Sequence, residues 1–500
     1  MTRAELGRLL QESIHSEEAR ASSPCSDVAR ASRPLRRGTG IQPVFRSGAG
    51  VPPAPEVARA FSVKRLQPLP HRAANVLPPP PPPPANHLHL IDERDPLRFR
   101  HALADAVSAD DGRPVFIADP TWGERERTQF AALATQPTLP FPGAETASAT
   151  AAECGWLCIP TGGSSGNLKL ARHDEQTLAA AVDGFCQHFD VSRINAVGLL
   201  PLHHISGLMS WIRCALTGGT YRHADWKRIE RGEERPVPAP AATFLSLVPT
   251  QLHRLLNNAD ESALTWLRRF RAIFIGGGPS WPALIEAGAA ARLPLAFSYG
   301  MTETAAMVTA LTPEEFAAGL RGTGRPMPHA RIDLLPDNAN NDANRMEIRA
   351  TSLFRGYWPG WRALPPPPWE TGDTGSFDAT GSLHIAGRRD ALIITGGEKV
   401  NPQEVEEALR ATGFFPDDVA VTGVPDPDWG HAVVACYPAG DPMNPRRPPL
   451  EVPAVRAALA GKLSPFKQPR RYVAVTPWPR SPQGKLNREA LRRHAAGDIG

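Results

Sequence analysis

The chain has 500 residues, 41% of them hydrophobic, and a formal net charge of +4. That length exceeds one small core and implies two or three domains. The near-balanced charge, with no Lys/Arg cluster interleaved with aromatics, gives no ground for a nucleic-acid partner, and no apolar run approaches the roughly 20 residues a membrane helix needs.

Residues 1–86 read as a low-complexity, disordered extension. They are rich in Arg, Pro, Ala and Ser and end in the run Pro78 to Pro84, which favours a stiff polyproline II rod. The Arg-rich, acid-poor middle has the look of a transit peptide, but no signal-peptide apolar core follows the start. Folded sequence begins near His87. Short apolar runs, Val115 to Ile117, Ala196 to Leu200, Thr243 to Val248 and Ala272 to Ile275, alternate with helical patterns such as Glu175 to Phe189 and Pro249 to Asn257. This alternation predicts an α/β fold: a large N-terminal domain of layered sheets and helices over residues 87–388.

A second unit, residues 389–495, predicts a small α+β C-terminal domain. Asn401-Pro402-Gln403-Glu404 opens a helix with an N-cap, a first-position proline and an early acid. Strands over Val419 to Val424 and Ala432 to Cys436 flank a turn at Pro425 to Asp428, and a last helix covers Leu450 to Leu463. Six cysteines, Cys25, Cys154, Cys158, Cys186, Cys214 and Cys436, are scattered along the chain. That suits free thiols in a reducing compartment, hence the cytoplasm. Cys154 and Cys158 lack a partner pair at zinc spacing, so no metal site is expected there.

The stretch Thr161-Gly162-Gly163-Ser164-Ser165-Gly166-Asn167-Leu168-Lys169 is suited to phosphate, but lacks the Gly-Lys-Ser/Thr of a Walker loop. Its continuation alternates like a strand, so a hairpin is expected, with glycines allowing close backbone approach. Four further motifs follow in order. They are Tyr299-Gly300-Met301-Thr302-Glu303-Thr304, Thr371-Gly372-Asp373, Gly387-Arg388-Arg389-Asp390 and Pro482-Gln483-Gly484-Lys485.

In that order, from about Leu157 to the end, the chain resembles the adenylate-forming superfamily of acyl-CoA synthetases, adenylation domains and luciferases. Pro201-Leu202-His203-His204-Ile205-Ser206-Gly207, with the run from Tyr299 to Phe316, is most similar to its 2-succinylbenzoate–CoA ligase branch in menaquinone and phylloquinone biosynthesis. Gly162, Asn167 and Leu168 depart from the wider family's loop, and the stretch before the loop is short. The resemblance implies an acid–thiol ligase using ATP, Mg2+ and coenzyme A, with a mobile C-terminal domain.

The resemblance also implies roles. Thr161, Gly162, Gly163, Ser164, Ser165, Gly166 and Lys169 hold the phosphates. Gly276, Gly277 and Gly278 lie against adenine, with Tyr299 and Gly300 alongside the nucleotide. Thr302 bonds the α-phosphate, Glu303 holds Mg2+, and Asp373 with Arg388 takes the ribose. Lys485 is the adenylation lysine. His204, Ser206 and Gly300 line the acyl side, Arg213 and Arg222 being unranked candidates for its wall, and His203 has no assigned role. Asp390 is the hinge, and Gly396 and Gly397 leave room for the pantetheine arm. A ligase for another aryl or acyl acid, and a non-catalytic nucleotide-binding relative, remain open. Lys485, Glu303 and Asp373 together argue against the second.

Overall fold

A computed structural model describes residues 1–21, 88–137, 155–162, 168–238, 242–257, 260–336, 344–362, 367–396, 398–415, 418–439, 450–480 and 486–497. Residues at the N-terminus are not all low-complexity extension: Arg3–Ala21 is an α-helix. Leu6, Leu10 and Ile14, four apart, make one buried stripe packed in the same core cluster as Phe99, Leu103 and Val107. At roughly 1.5–3 kcal/mol for each buried aliphatic side chain, the stripe is enough to dock the helix. Gly7 makes the approach possible, because a Cβ there would lie 2.5 Å from Ser108 Oγ. Glu17 fastens the far end through Arg100 at 2.5 Å and the Tyr221 amide at 3.1 Å. The polyproline run lies outside the described residues.

Among the described residues four sheets follow in chain order. The first is β1 (His89–Ile91), β2 (Val115–Ile117), β3 (Leu157–Gly162) and β4 (Leu168–His173), parallel except for the antiparallel last pair. The second holds β5 (Asn195–Gly198), β6 (Tyr221–His223), β7 (Thr243–Leu247), β8 (Ala272–Ile275), β9 (Leu295–Met301), β10 (Ala306–Ala310) and β11 (Arg325–Pro326). Its order is β11-β10-β9-β8-β7-β5-β6, with a parallel run from β9 to β6. The expected strands at 115, 196, 243 and 272 are therefore β2, β5, β7 and β8. The helices Glu175–Phe189 and Pro249–Asn257 have the expected bounds. The helix Ile205–Leu216 is buried along nearly its whole length, which its apolar sequence requires.

The third sheet is antiparallel: β12 (Ala330–Leu335), β13 (Asn344–Ala350), β14 (Trp369–Phe377) and β15 (Leu383–Arg388). After Arg388 the chain makes a short 3-10 turn, Arg389–Ala391, and the next strand belongs to a different sheet. That sheet is β16 (Ile393–Thr395), β17 (Glu398–Val400), β18 (Ala420–Asp426), β19 (Gly430–Pro438) and β20 (Arg471–Val475). Asn401 caps the helix Pro402–Arg410 by accepting from the Gln403 amide. β18 runs further than expected, to Asp426, whose carboxylate then accepts from the Asp428 and Trp429 amides and moves the turn two residues on. The last expected helix shortens to Val452–Leu459, followed by Gly461 at φ +76°.

Candidate active site

β3 and β4 form the expected hairpin, with Thr161 opposite Lys169 and Gly162 opposite Leu168. Gly163, Ser164, Ser165 and Gly166, between the two strands, lie outside the described residues. At the base of the hairpin stands Glu303, 7% exposed. The Tyr357 hydroxyl donates to its Oε1 at 2.5 Å and the Thr161 hydroxyl to the same oxygen at 3.4 Å. Among the described residues Oε2 takes no hydrogen bond. Lys169 extends its ammonium over the Tyr357 ring at 5.0 Å. Burial and the Glu303 carboxylate push the Tyr357 phenol pKa up, so it stays a donor.

Glu303 is held by the short 3-10 turn Thr302–Thr304, which follows β9. His173 Nε2 donates to the Thr302 carbonyl at 2.7 Å, and the Phe354 amide donates to the Glu303 carbonyl at 2.8 Å. Ser352 Oγ donates to the Thr304 carbonyl at 2.9 Å. Burial drops the His173 pKa to about 4, so the imidazole is neutral at pH 7. The turn is then left through Ala305 and Ala306 at φ +51° and +82°, a conformation alanine seldom adopts. Gly300 has a local reason to be glycine: a Cβ there would sit 2.0 Å from the Ala306 carbonyl oxygen across the β9–β10 pair.

Asp373, 8% exposed, is the second buried carboxylate. The Tyr299 hydroxyl donates to its Oδ2 at 2.6 Å, and Arg388 Nη1 stands 3.6 Å from Oδ1. Asp373 and Arg388 are register partners on β14 and β15. Gly372, at φ +76°, leaves room for the guanidinium, which lies 3.1 Å from where a Cβ would be. Burial, reinforced by Asp373, raises the Tyr299 pKa well above the ordinary phenol range.

Gly276, Gly277 and Gly278 follow β8 at the C-terminal end of the parallel strands, the edge where open α/β sheets hold ligands. Gly277 has φ +76°, and nothing lies within 4 Å of a Cβ built on Gly278. A Cβ on Gly276, by contrast, would meet Ser298 Oγ at 3.0 Å, so the open face of this segment is at Gly278.

A third cluster surrounds His204, the N-cap residue of the helix Ile205–Leu216. His203 and His204 both face Asp119, at 3.2 Å and 3.4 Å. Ser206 is exposed on the first turn of that helix. Arg213 is buried, with its guanidinium 4.5 Å from the Phe185 ring centre, and burial lowers its pKa to about 10. Arg222 is exposed on the edge strand β6.

In the small domain Asp390 lies in the 3-10 turn Arg389–Ala391. Gly396 has φ +57° and faces the Trp429 ring, 2.7 Å from where its Cβ would be. Gly397 and Lys485 lie outside the described residues. On either side of residues 481–485, Arg480 pairs with Asp418 and Arg488 with Glu406, the latter at 2.9 Å. Arg410 reaches Asp418 at 3.4 Å and stands 5.3 Å from the Trp281 ring centre, three residues past Gly278.

The structure thus groups Thr161, Lys169, Glu303 and Tyr357, and separately Tyr299, Asp373 and Arg388. Sequence reasoning missed Tyr357, His173 and Asp119. None sits in a motif; the one hint was the unexplained second histidine, His203.

The two carboxylate groups differ in what they can hold. Glu303 offers a carboxylate oxygen held, among the described residues, by hydroxyls alone, the donor type a hard cation such as Mg2+ takes. Gly278, open on its Cβ side, and Asp373 offer close backbone approach and a hydrogen-bond acceptor. Among the described residues no helix is long and apolar enough to cross a membrane.

The sequence family described as AMP-binding enzyme matches residues 88–358, and that described as AMP-binding enzyme C-terminal domain matches residues 404–485. The 2-succinylbenzoate–CoA ligase of Geobacillus kaustophilus is 31% identical over 312 residues, 59% of this chain and 60% of that protein. That of Enterococcus faecalis is 30% identical over 298 residues, 57% of this chain and 58% of that protein. The chain therefore spans about 60% of the length of these curated relatives. Among solved structures, o-succinylbenzoate CoA synthetase of Bacillus subtilis, in complex with its acyl-adenylate intermediate, superimposes with a TM-score of 0.63 at 21% identity. That match covers 81% of this chain and 87% of that one. ATP-bound MatB from Rhodopseudomonas palustris gives 0.58 at 25% identity, over 81% and 79% of the two chains. The fold is that of adenylate-forming enzymes.

Proposed function

Because the chain belongs to the AMP-binding enzyme family, we propose that it is an AMP-forming acid–thiol ligase that joins 2-succinylbenzoate to coenzyme A. The observation that carries this is the pair of buried carboxylates, Glu303 and Asp373, each held by a tyrosine hydroxyl, the first at the base of the glycine-rich hairpin. The recurrence of 2-succinylbenzoate–CoA ligases among relatives at 27–31% identity supports the choice of acid.

In the first half-reaction a carboxylate oxygen of the acid attacks the α-phosphorus of ATP. The bond to the β-phosphate oxygen breaks, and pyrophosphate leaves with the electron pair. An anion meets a polyanion, so charge neutralisation and in-line positioning do most of the work. Thr161, Gly162 to Gly166 and Lys169 grip the leaving phosphates, and Thr302 bonds the α-phosphate. Asp373, kept a pure acceptor, takes the ribose hydroxyls, with Arg388 beside it. Tyr299 fixes Asp373, and Gly276, Gly277 and Gly278 let adenine lie on the backbone. Glu303 holds Mg2+, which supplies positive charge against the phosphates. Lys485 spans the acid and the α-phosphate as charge builds.

In the second half-reaction the coenzyme A sulfur attacks the acyl carbonyl, and AMP leaves. Asp390 is the hinge on which the small domain turns, withdrawing Lys485 and bringing Gly396 and Gly397 to the pantetheine side. His204, Ser206 and Gly300 border the acyl group. We place the reaction in the cytoplasm, in keeping with the free thiols of Cys158, Cys186, Cys214 and Cys436. The test is pyrophosphate release from ATP and Mg2+ across a panel of aryl and aliphatic acids, followed by thioester formation on adding coenzyme A. Preference for 2-succinylbenzoate is expected; preference for a long fatty acid overturns the substrate, and release with no acid at all overturns the ligase.

A further inference from the structure

We propose that Asp119, His203 and His204 form a three-ligand site for a borderline transition-metal ion, Zn2+ or Co2+, distinct from the Mg2+ assigned to Glu303. The ligand atoms of the three residues lie within 4.8 Å of one another. Nε2 of His203 stands 3.2 Å from Asp119 Oδ1, and Nε2 of His204 stands 3.4 Å from Oδ2. Tetrahedral zinc bonded to nitrogen and oxygen at about 2.0–2.1 Å spaces neighbouring ligand atoms about 3.3 Å apart. The observed separations therefore match the edges of such a site before any ion is placed in it.

Three further observations point the same way. His203 is 8% exposed, and among the described residues its buried Nε2 has no hydrogen-bond partner despite lying near the carboxylate. The ring is out of line for a hydrogen bond to Oδ1, whereas an ion beside the carboxylate would satisfy the nitrogen. Asp119 is itself oriented from behind: the Thr121 amide and hydroxyl donate to Oδ1 at 2.9 Å and 2.6 Å. Outer partners of this kind fix a metal-binding carboxylate. The ligands also come from firm positions, Asp119 just past β2 and the two histidines at the start of a buried helix.

Two imidazoles and one carboxylate select Zn2+ or Co2+ over Mg2+, which prefers oxygen and keeps its water. Three protein ligands leave a fourth position open. His204 is the more exposed ring, with 19% of its side chain accessible against 10% for His203. The open position lies on that side, and water or an anionic donor fills it. The rival arrangement is a metal-free cluster in which one carboxylate simply holds two rings.

The full chain, stripped with chelator and desalted, is titrated with Co2+ and followed by its visible d–d bands. The expected result is one equivalent of tetrahedral Co2+, displaced by Zn2+. His203→Phe keeps an aromatic ring in place, and it should weaken binding more than about 100-fold, while Thr121→Val should weaken it about 10-fold. Glu303→Gln should leave the spectrum unchanged. Absence of a tetrahedral spectrum in the wild-type protein overturns the proposal, as does equal affinity in His203→Phe. Asp119→Asn is a second ligand variant, read only where its circular dichroism matches wild type. The readout needs no acid, ATP or coenzyme A, so it stands or falls separately from the ligase reading.

Discussion

Glu303 and Glu406 are both buried glutamates, 7% and 2% exposed, yet they are held in opposite ways. Glu406, in the small domain, is clasped by Arg488 at 2.9 Å and 3.2 Å and accepts from the Val421 amide at 2.8 Å. Glu303, on the large sheets, takes only hydroxyl protons among the described residues, from Tyr357 and Thr161. A guanidinium neutralises a carboxylate and ties two parts of the chain together. A hydroxyl orients it and leaves its charge for something else. The first arrangement serves the small domain's integrity; the second is a prepared acceptor. Asp373 stands between the two, with the Tyr299 hydroxyl on one oxygen and Arg388 3.6 Å from the other.

The contrast breaks if Glu303→Gln is harmless. The amide keeps a partner for Tyr357 and loses the charge, so acid-dependent pyrophosphate release should fall about 100-fold, or about 3 kcal/mol in barrier. Its Mg2+ requirement should rise, while the melting temperature stays near wild type. Arg488→Ala should do the reverse. It leaves Glu406 buried without its guanidinium and should destabilise the small domain by about 2–3 kcal/mol, less than a fully buried pair because Arg488 is 41% exposed. Denaturant unfolding reads this directly, with nucleotide binding to the large domain retained.

A finer test is Tyr357→Phe. It removes one hydroxyl from Glu303 and should cost about 1 kcal/mol, roughly fivefold in adenylation rate, without changing which acid is used. The smallest effect concerns pH. Both ring nitrogens of His329 are buried without a hydrogen-bond partner among the described residues, and burial, aided by Arg213, lowers its pKa from 6.5 to about 4. The unfolded chain therefore takes up that proton first. Stability from this residue is intact above about pH 6.5 and declines as the pH falls toward 4. His329→Phe should flatten the slope of melting temperature across that interval.

Local sequence exposed the parts of the site that are local in space. The alternation at Leu168 and Leu170 announced a strand, so the glycine–serine segment had to join a hairpin. The apolar run before Gly276 ended where β8 ends. Tyr357, His173 and Asp119 were hidden because their partners stand far along the chain and no short pattern marks them. The N-terminal helix was hidden differently. Leu6, Leu10 and Ile14 carry a plain helical stripe, but the Arg, Pro and Ala that follow dominate the composition of residues 1–86. A compositional average over that stretch conceals its first turns.

The most direct test of the account separates the two half-reactions. Wild-type protein with ATP, Mg2+ and 2-succinylbenzoate, and no coenzyme A, should release about one pyrophosphate per active site, with bound succinylbenzoyl-AMP detected by mass. Lys485→Ala should slow that step about 1000-fold, close to 4 kcal/mol, yet convert preformed adenylate and coenzyme A to thioester at nearly the wild-type rate. Equal losses in both steps, or pyrophosphate release that ignores the acid, would contradict it.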